Sequence, residues 1–459
     1  MDTRFLPHNT HMEDPARFPE RDPHLRNLKQ FPLVYTSPLL SRLPGRVPGI
    51  YSLTGGRQIG KTTLIKQWMA RLLQERVSPE RIVYFSGELI DDHHSLVRLL
   101  SEAVDSMPPK GLCYLILDEV TYIRDWDKGV KFLADAGLFE RVALVITGSD
   151  MVVIKESRAR FPGRRGLADQ VDFQMYPLSF SEFVSLNGRL ESDDIRLSVT
   201  SSQDPDEGCL DILYEEFESY LAHGGYLTAI NDLAMHRRIL PATFSTYSDW
   251  IRGDVLKRNK QEHYLKEILE AIAKRYCSQV TWNALARDLS IDHPKTVSDY
   301  VALLESMDAA FVQPALQEHK LGPSPKKPRK LMFSDPFIFH AVRAWLNPSK
   351  APYEEQVQPL LSDPEWSARL VESIVATHYR RRFPTYYIKA EGEVDVAYVE
   401  GKRFRPVEVK WTGQLRPKEI KQIQKYGNAL ILTKTRHRGE VMGIPSIPVP
   451  VALMSITEL

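Results

Sequence analysis

The run Gly55-Gly56-Arg57-Gln58-Ile59-Gly60-Lys61-Thr62 constrains this chain more than any other stretch. It lies between a short apolar run, Ile50-Tyr51-Ser52-Leu53, and a helical pattern that opens at Thr63. Strand, glycine loop and helix in that order form a cradle for a phosphate chain. Glycines tolerate positive φ and let backbone N–H groups close around an anion, and the helix N-terminus adds partial positive charge. The spacing places the Lys61 ammonium on the β- and γ-phosphates of ATP and the Thr62 hydroxyl on Mg²⁺. Gly55, Gly56, Arg57, Gln58, Ile59, Gly60, Lys61, Thr62 and Thr63 are therefore the expected nucleotide contacts.

A second signal is Leu115-Ile116-Leu117-Asp118-Glu119, an apolar strand ending in two carboxylates. In a phosphate-binding domain Asp118 would hold Mg²⁺ through water and Glu119 would polarise the attacking water. Lys61 and Glu119 are thus catalytic candidates, and Thr62 and Asp118 metal candidates. The strand-like run Ile82 to Phe85 falls between loop and carboxylates, an order that suits nucleotide hydrolases with a catalytic glutamate and an inserted strand. The next strand ends in Thr147-Gly148-Ser149, whose hydroxyls suit either a γ-phosphate sensor or a plain strand-to-turn cap. Arg158, Arg160, Arg164 and Arg165 follow in a glycine-flanked loop, with Arg164 and Arg165 the candidates for an arginine finger, from this subunit or a neighbour.

Strand-like and helix-like runs alternate from Phe31 to about Phe183, the pattern of parallel strands covered on both faces by helical crossovers. The first thirty residues are rich in Pro, Arg, His and Asp, show no periodicity, and are expected to be an arm. Residues 188–208 are acidic and Ser-rich, as in an insertion or linker. With 459 residues, 43% apolar and 26% charged, the chain has the composition of an ordinary globular protein of about three domains. A net charge of +1 argues against wholesale polyanion binding and leaves room for a local basic groove. Cys113, Cys209 and Cys277 have neither disulfide nor zinc spacing, and the adjacent His93-His94 lack a third ligand. The longest apolar runs are too short to span a bilayer, and the N-terminus lacks the apolar core of a signal peptide. A cytoplasmic location without a membrane partner is expected.

Between Gln261 and Gln317 the runs LKEILEAIAKRY, VTWNALARDLSI, HPKTVSDYVALLESM and AAFVQPAL resemble a winged helix-turn-helix. Val297, Val301 and Leu304 make the buried stripe of its third helix. Lys295, Ser298, Asp299 and Glu305 face outward, a mixed set for a reader of DNA, so DNA recognition and a structural or subunit-contact role both stay open. The basic run Pro323 to Lys330 reads as a solvated linker, or on composition alone as a localisation signal.

Near the C-terminus Glu393 to Val399 alternates as a strand, and Pro406 to Trp411 follows after a Gly401-Lys402 turn. Side chains two apart share a face, so Glu408 and Lys410 point the same way and can meet Asp395 on the neighbouring strand. Asp395 and Glu408 would hold Mg²⁺ or Mn²⁺, with Glu372 on the preceding helix completing the metal set, and Lys410 would orient a water against a phosphodiester. Asp395, Glu408 and Lys410 are the catalytic candidates. Order and spacing resemble the PD-(D/E)XK nucleases. Arg380, Arg381 and Arg382 upstream, and Lys418, Lys421, Gln422 and Lys425 downstream, suit a nucleic-acid partner, while the alternative is a surface hairpin with a cross-strand ion pair.

Taken together, TGGRQIGKTTL, LILDEV with Trp126 after it, ITGS, PGRRG, YPLSFSEF, HGGYLTAI and DPFIFHAV resemble prokaryotic AAA-type P-loop ATPases with an uncharacterised C-terminal domain. The resemblance covers nearly everything after residue 30. It implies an α/β chain with a RecA/AAA-like parallel-sheet ATPase domain, an all-α/winged-helix middle segment and a restriction-endonuclease-like C-terminal domain. The expected boundaries are an arm at 1–30, the ATPase domain at 31–185, a helical linker or lid at 186–260, the winged helix-turn-helix at 261–318 and the nuclease-like domain at 319–459. Arginine-finger chemistry implies a homo-oligomer. Two functions follow: an ATPase coupled to a metal-dependent nuclease-like module, or an ATP-dependent regulatory or assembly switch whose tail only binds nucleic acid or protein.

Overall fold

The computed structural model describes residues 2–150, 161, 163, 165–166, 168–190, 204–291, 293–412 and 420–456. The chain divides into two compact units, Met1–Tyr176 and Pro177–Leu459.

Five parallel strands build the first unit: β1 (Gly49–Thr54), β2 (Ile82–Ser86), β3 (Cys113–Asp118), β4 (Val142–Gly148) and β5 (Asp172–Gln174), in the order β2-β3-β4-β1-β5. Every residue of β1, β3 and β4 is buried, so these strands are unbroken apolar runs and not alternating ones. Helices α1 (Lys61–Gln74), α2 (His93–Ser106) and α3 (Trp126–Asp135) intervene. Leu96, Leu100, Val130 and Leu133 from α2 and α3 share a core with Leu115, Leu117, Leu144 and Ile146 of the sheet. The strand inserted between the loop strand β1 and the carboxylate strand β3 is β4, and Ile82–Ser86 lies beyond β3.

The first thirty residues are not an arm. Phe5 and Phe18 are fully buried, and the Phe5 ring meets Phe85 edge-on at 4.9 Å. Asn9 behaves as a strand residue beside β2: its Nδ2 donates to Tyr84 O at 2.8 Å and its Oδ1 accepts from Tyr84 N at 2.8 Å. His11 Nε2 donates to Ile82 O at 2.9 Å. The segments responsible, Thr3–His8, Thr10–Met12, Phe18–Arg21 and Pro23–Leu28, are one or two turns each, too short to leave a periodic signal.

The second unit opens with α4 (Phe180–Asn187), started by a capping box in which Ser179 Oγ accepts from Glu182 N at 3.2 Å and the Glu182 carboxylate accepts from Ser179 N at 2.8 Å. The first compact unit ends just before this helix, at Tyr176. α5 (Glu207–His223), α6 (Leu227–His236) and α7 (Pro241–Lys257) are core elements, not a linker or lid. Phe244 and Tyr247 of α7, together with Tyr226, pack on Phe337 at ring separations of 5.1 to 5.8 Å.

Next come α8 (Glu262–Lys274), β6 (Gln279–Val280), α9 (Trp282–Asp288), α10 (Pro294–Ser306), β7 (Ala310–Pro314), the small hairpin β8 (Leu316–Gln317) and β9 (Gly322–Pro323), and β10 (Arg329–Phe333). β6, β10 and β7 form an antiparallel sheet in that order. The middle of the chain is therefore not all-α, and its sheet is completed by β10, beyond the expected end at 318. The end of the basic run is strand, not linker.

After α11 (Pro336–Leu346) and α12 (Pro364–Arg382) come β11 (Thr385–Lys389), β12 (Glu393–Glu400), β13 (Arg403–Lys410), β14 (Leu430–Thr433), β15 (Gly439–Val441) and β16 (Ile444–Pro448), ordered β11-β12-β13-β14-β16-β15. β11, β12 and β13 are antiparallel, whereas β13, β14 and β16 run parallel. α13 (Val449–Ser455) closes the described chain.

Candidate functional site

Strand β1 presents the glycine loop at its C-terminal end, and α1 begins at Lys61. Gly60 has φ +96°, a conformation that L side chains rarely adopt. At Gly55 the constraint is space, because a Cβ would lie 2.4 Å from Met175 O. The buried Lys61 Nζ donates to Gly55 O at 3.1 Å and Gly56 O at 2.8 Å, and sits 3.7 Å from Glu119 Oε1. Burial lowers its pKa, opposed by Glu119 and Asp118. Arg57 donates to the Tyr122 hydroxyl at 2.8 Å.

Asp118 accepts three hydroxyls. Oδ2 takes Thr62 at 2.8 Å and Tyr84 at 2.5 Å, and Oδ1 takes Thr147. The Thr147 oxygen also accepts from Glu119 N at 3.0 Å, so one side chain holds the Asp118 carboxylate and the Glu119 backbone. Ser149 donates to Glu119 Oε2 at 3.2 Å. Glu119 itself has φ +53°, and a Cβ at Gly87 would lie 2.4 Å from its carbonyl oxygen. Burial, then Asp118, raises the pKa of Tyr84 well above its ordinary value, so the phenol stays a donor. Thr62 and Asp118 offer adjacent hard oxygen donors, the chemistry Mg²⁺ selects.

Tyr84 was not among the expected site residues, nor was Lys66. Lys66 Nζ is fully buried, donates to His8 O at 2.7 Å, pairs with Asp22 at 3.2 Å and lies 3.8 Å from the centre of the Tyr84 ring. Its one sequence signal is a lysine among the buried residues Leu64, Ile65, Trp68 and Met69 of α1. The two arginine-finger candidates fare differently. Arg164 lies outside the described residues, as do Arg158 and Arg160. Arg165 is held by Asp172 at 2.9 Å, Val171 O at 3.2 Å and Ile50 O at 3.4 Å, at the start of β1. The glycine loop leaves the other end of that strand, so Arg165 is not brought to it.

In the second unit the hairpin β12–β13 brings Asp395, Glu408 and Lys410 together. Asp395 N donates to Glu408 Oε2 at 3.4 Å, Val409 N donates to Asp395 Oδ2 at 2.9 Å, and Lys410 Nζ lies 2.7 Å from Glu408 Oε1. Glu372 on α12 does not complete a metal set with them. It faces Lys330 Nζ at 2.7 Å, and that ammonium also reaches Asp395 Oδ1 at 3.5 Å and the Glu393 carboxylate. Among the described residues no group of three or more His, Cys, Asp or Glu is arranged to hold a metal ion. Burial lifts Glu372 to about 7 and Glu408 to about 8. Burial alone would lower Lys330, but the surrounding carboxylates outweigh it and keep the ammonium charged. Lys330 and Glu393 were missed, because a lysine closing a basic run reads as solvated.

The basic residues around the hairpin are largely engaged within the unit. Arg380 stacks on Phe311 at 4.5 Å, Lys425 pairs with Glu391 at 2.6 Å, and the Gln422 side-chain oxygen accepts from Gly392 N at 3.1 Å. Lys418 lies outside the described residues. His93 and His94 stack on each other at 3.9 Å. Among the described residues no helix is long and apolar enough to cross a membrane.

Residues 48–184 match the profile of the AAA domain family, and residues 214–349 match a family described as a domain of unknown function. The first of these segments, similar to AAA domains, carries the parallel sheet and the glycine loop. An uncharacterized protein of Haemophilus influenzae is 25% identical over 266 residues, which cover 55% of this chain and 59% of that protein. The uncharacterized protein MJ1637 of Methanocaldococcus jannaschii is 30% identical over 193 residues, 39% of this chain and 38% of that protein. The matched stretches thus span only about two fifths to three fifths of these relatives. Among solved structures, the Walker-type ATPase paby2304 of Pyrococcus abyssi aligns with a TM-score of 0.41 at 14% identity, over 64% of this chain and 91% of that one. The ORC2 protein of Aeropyrum pernix aligns with a TM-score of 0.37 at 13% identity, over 72% and 97%. Both likenesses are too slight to bear on function.

Proposed function

We propose that this chain hydrolyses ATP in its first unit and that nucleotide state governs a nuclease-like module at its C-terminus, which acts on nucleic acid in a homo-oligomer. The observation that carries the first part is Asp118, whose Oδ2 accepts the Thr62 hydroxyl at 2.8 Å directly beside the glycine loop. Thr62 and Asp118 would hold Mg²⁺, which when bound neutralises charge developing on the phosphates. Lys61, already aimed at loop carbonyls, is placed to turn its ammonium to the phosphate oxygens. Glu119 is the general base: Ser149 fixes Oε2 by hydrogen bond, and Oε1, on the side of Lys61, takes the proton of the attacking water.

For the C-terminus, Asp395, Glu408 and Lys410 on one hairpin support the nuclease-like reading, as does the run of one helix, three antiparallel strands and a parallel fourth. A second reading, a switch whose tail binds without cutting, is favoured by one specific observation: the acidic side chains close on Lys330. The test is a set of variants assayed with Mg²⁺ or Mn²⁺ on single- and double-stranded DNA and RNA. Lys61→Ala and Glu119→Gln should abolish ATP turnover, with Glu119→Gln still binding ATP. Lys410→Ala should abolish cutting and spare ATP turnover. Wild-type turnover in Glu119→Gln would overturn the assignment of the base, and absence of cutting by wild type on every substrate would leave the switch.

A further inference from the structure

Lys330 lies at the middle of the antiparallel sheet β6-β10-β7. In register it stands opposite Gln279 on one side and Gln313 on the other. All three residues of this row reach β12 or the strand beside it. Gln279 Nε2 donates to the Glu393 carboxylate, Gln313 Nε2 donates to Asp395 O and Tyr386 O at 3.0 Å each, and Lys330 reaches Glu372, Glu393 and Asp395. The chain just before β10 is fastened to the same place, with the Tyr387 hydroxyl donating to Pro328 O at 2.6 Å and Lys327 Nζ to Lys389 O at 2.5 Å. A lysine side chain 1% exposed inside three carboxylates is a built contact, since an ammonium this deep is tolerated only where opposite charge surrounds it.

We propose that Lys330 is the resident cation of the Glu372, Glu393 and Asp395 cluster, and that strand β10 thereby plugs the nuclease-like site against divalent metal. Asp395 is shared between the plug and the hairpin that carries Glu408 and Lys410. A divalent ion on Asp395 would have to sit beside a fixed positive charge, and repulsion favours the closed arrangement until the row Gln279-Lys330-Gln313 withdraws. The biological sense of the plug rests on the nuclease-like reading above, while its geometry does not.

The test is Mn²⁺ binding to the full-length, nucleotide-free protein, followed by loss of the free-ion electron paramagnetic resonance signal, for wild type, Lys330→Met and Lys330→Met/Asp395→Asn. Lys330→Met should gain a Mn²⁺ that wild type lacks, held at least about tenfold more tightly than any Asp395-dependent ion in wild type, and the added Asp395→Asn should remove it. Wild type already binding Mn²⁺ through Asp395 as tightly as the variant overturns the proposal, as does a folded Lys330→Met that binds none. If Lys330→Met does not fold in metal-free buffer by circular dichroism, refolding in Mn²⁺ should restore it, and failure of that rescue counts against the plug. Nucleic-acid cutting by the variant is a separate readout: Mn²⁺ bound without cutting keeps the plug and removes the nuclease reading.

Discussion

The Tyr84 hydroxyl donates at 2.5 Å to the same Asp118 oxygen that accepts from Thr62, which ties the carboxylate of the phosphate site to the strand beside its own. Tyr84→Phe removes that donor and leaves the ring in place. Groups that orient a metal-holding carboxylate typically change metal affinity about ten- to a hundredfold when removed. ATP turnover measured against Mg²⁺ concentration should therefore need more Mg²⁺ to reach half its maximum. An unchanged Mg²⁺ dependence would show that Thr62 and Thr147 suffice to aim Asp118.

Gly87→Ala separates binding from chemistry. Its methyl carbon would enter at 2.4 Å from Glu119 O and 3.0 Å from Asp118 O, both backbone, so the strand end that carries Glu119, the proposed base, must shift. The glycine loop is untouched. The expected result is a large fall in kcat with KM for ATP close to wild type, because a displaced base costs transition-state stabilisation and not ground-state binding.

Lys66 and Asp22 are a buried pair, 0% and 1% exposed, that joins α1 to the N-terminal segment. Lys66→Met leaves the Asp22 carboxylate buried without its counter-charge, held only by the backbone N–H groups of His24 and Leu25, which should cost about 3–5 kcal/mol, whereas Lys66→Met/Asp22→Asn, which keeps that cap without the charge, should recover most of that loss. Phe5→Ala, which empties a fully buried site against Phe85, should cost a similar 3–5 kcal/mol or so. Urea unfolding of the four proteins measures all three values. Phe5→Ala as stable as wild type would mean that the N-terminal segment contributes nothing to the first unit.

Three buried histidines of the second unit are held neutral by burial, His223 and His340 at about 4 and His378 at about 3. In the unfolded chain they titrate near 6.5. Their folded pKa values are depressed, so the unfolded state binds more protons between these limits, and the stability they contribute is full above about 6.5 and lost as pH falls toward 4. His378 shows the cause: Nδ1 donates to Ile374 O at 2.8 Å while Nε2 accepts from Phe180 N at 3.0 Å, so a second ring proton has no acceptor. Buried carboxylates such as Asp335, raised to about 6, slope the other way, so the comparison is between wild type and His378→Gln. Between pH 7.5 and 5.5 the variant should lose less stability than wild type, by about 1.4 kcal/mol. Parallel stability curves would mean that His378 is not neutral in the fold.

What could be read from residue order follows how far each signal reaches along the chain. The glycine loop and the Asp118-Glu119 pair are short runs, and the hairpin from Asp395 to Lys410 is a local turn, so spacing alone was enough to bring their members together. Tyr84 and Thr147 meet Asp118 from 34 and 29 residues away, on strands whose order only hydrogen bonding establishes. Arg165 looked free because glycines flank it, yet Asp172, seven residues on, captures it. Lys330 was hidden by its neighbours: Lys326, Lys327 and Arg329 make the run look solvated, and only the pairing with Gln279 and Gln313 turns one of its side chains inward. The one- and two-turn helices before residue 30 are too short to carry a period, and the burial of Phe5 and Asn9 becomes visible only against Phe85 and Tyr84.

Asn9 supplies both halves of an amide rung to Tyr84 on a strand that ends the parallel sheet on one side. A sheet rim left bare is a template on which other chains can add strands. The opening dozen residues occupy part of that rim, at Tyr84 and Ile82, and a chain shorn of them would leave those backbone groups bare.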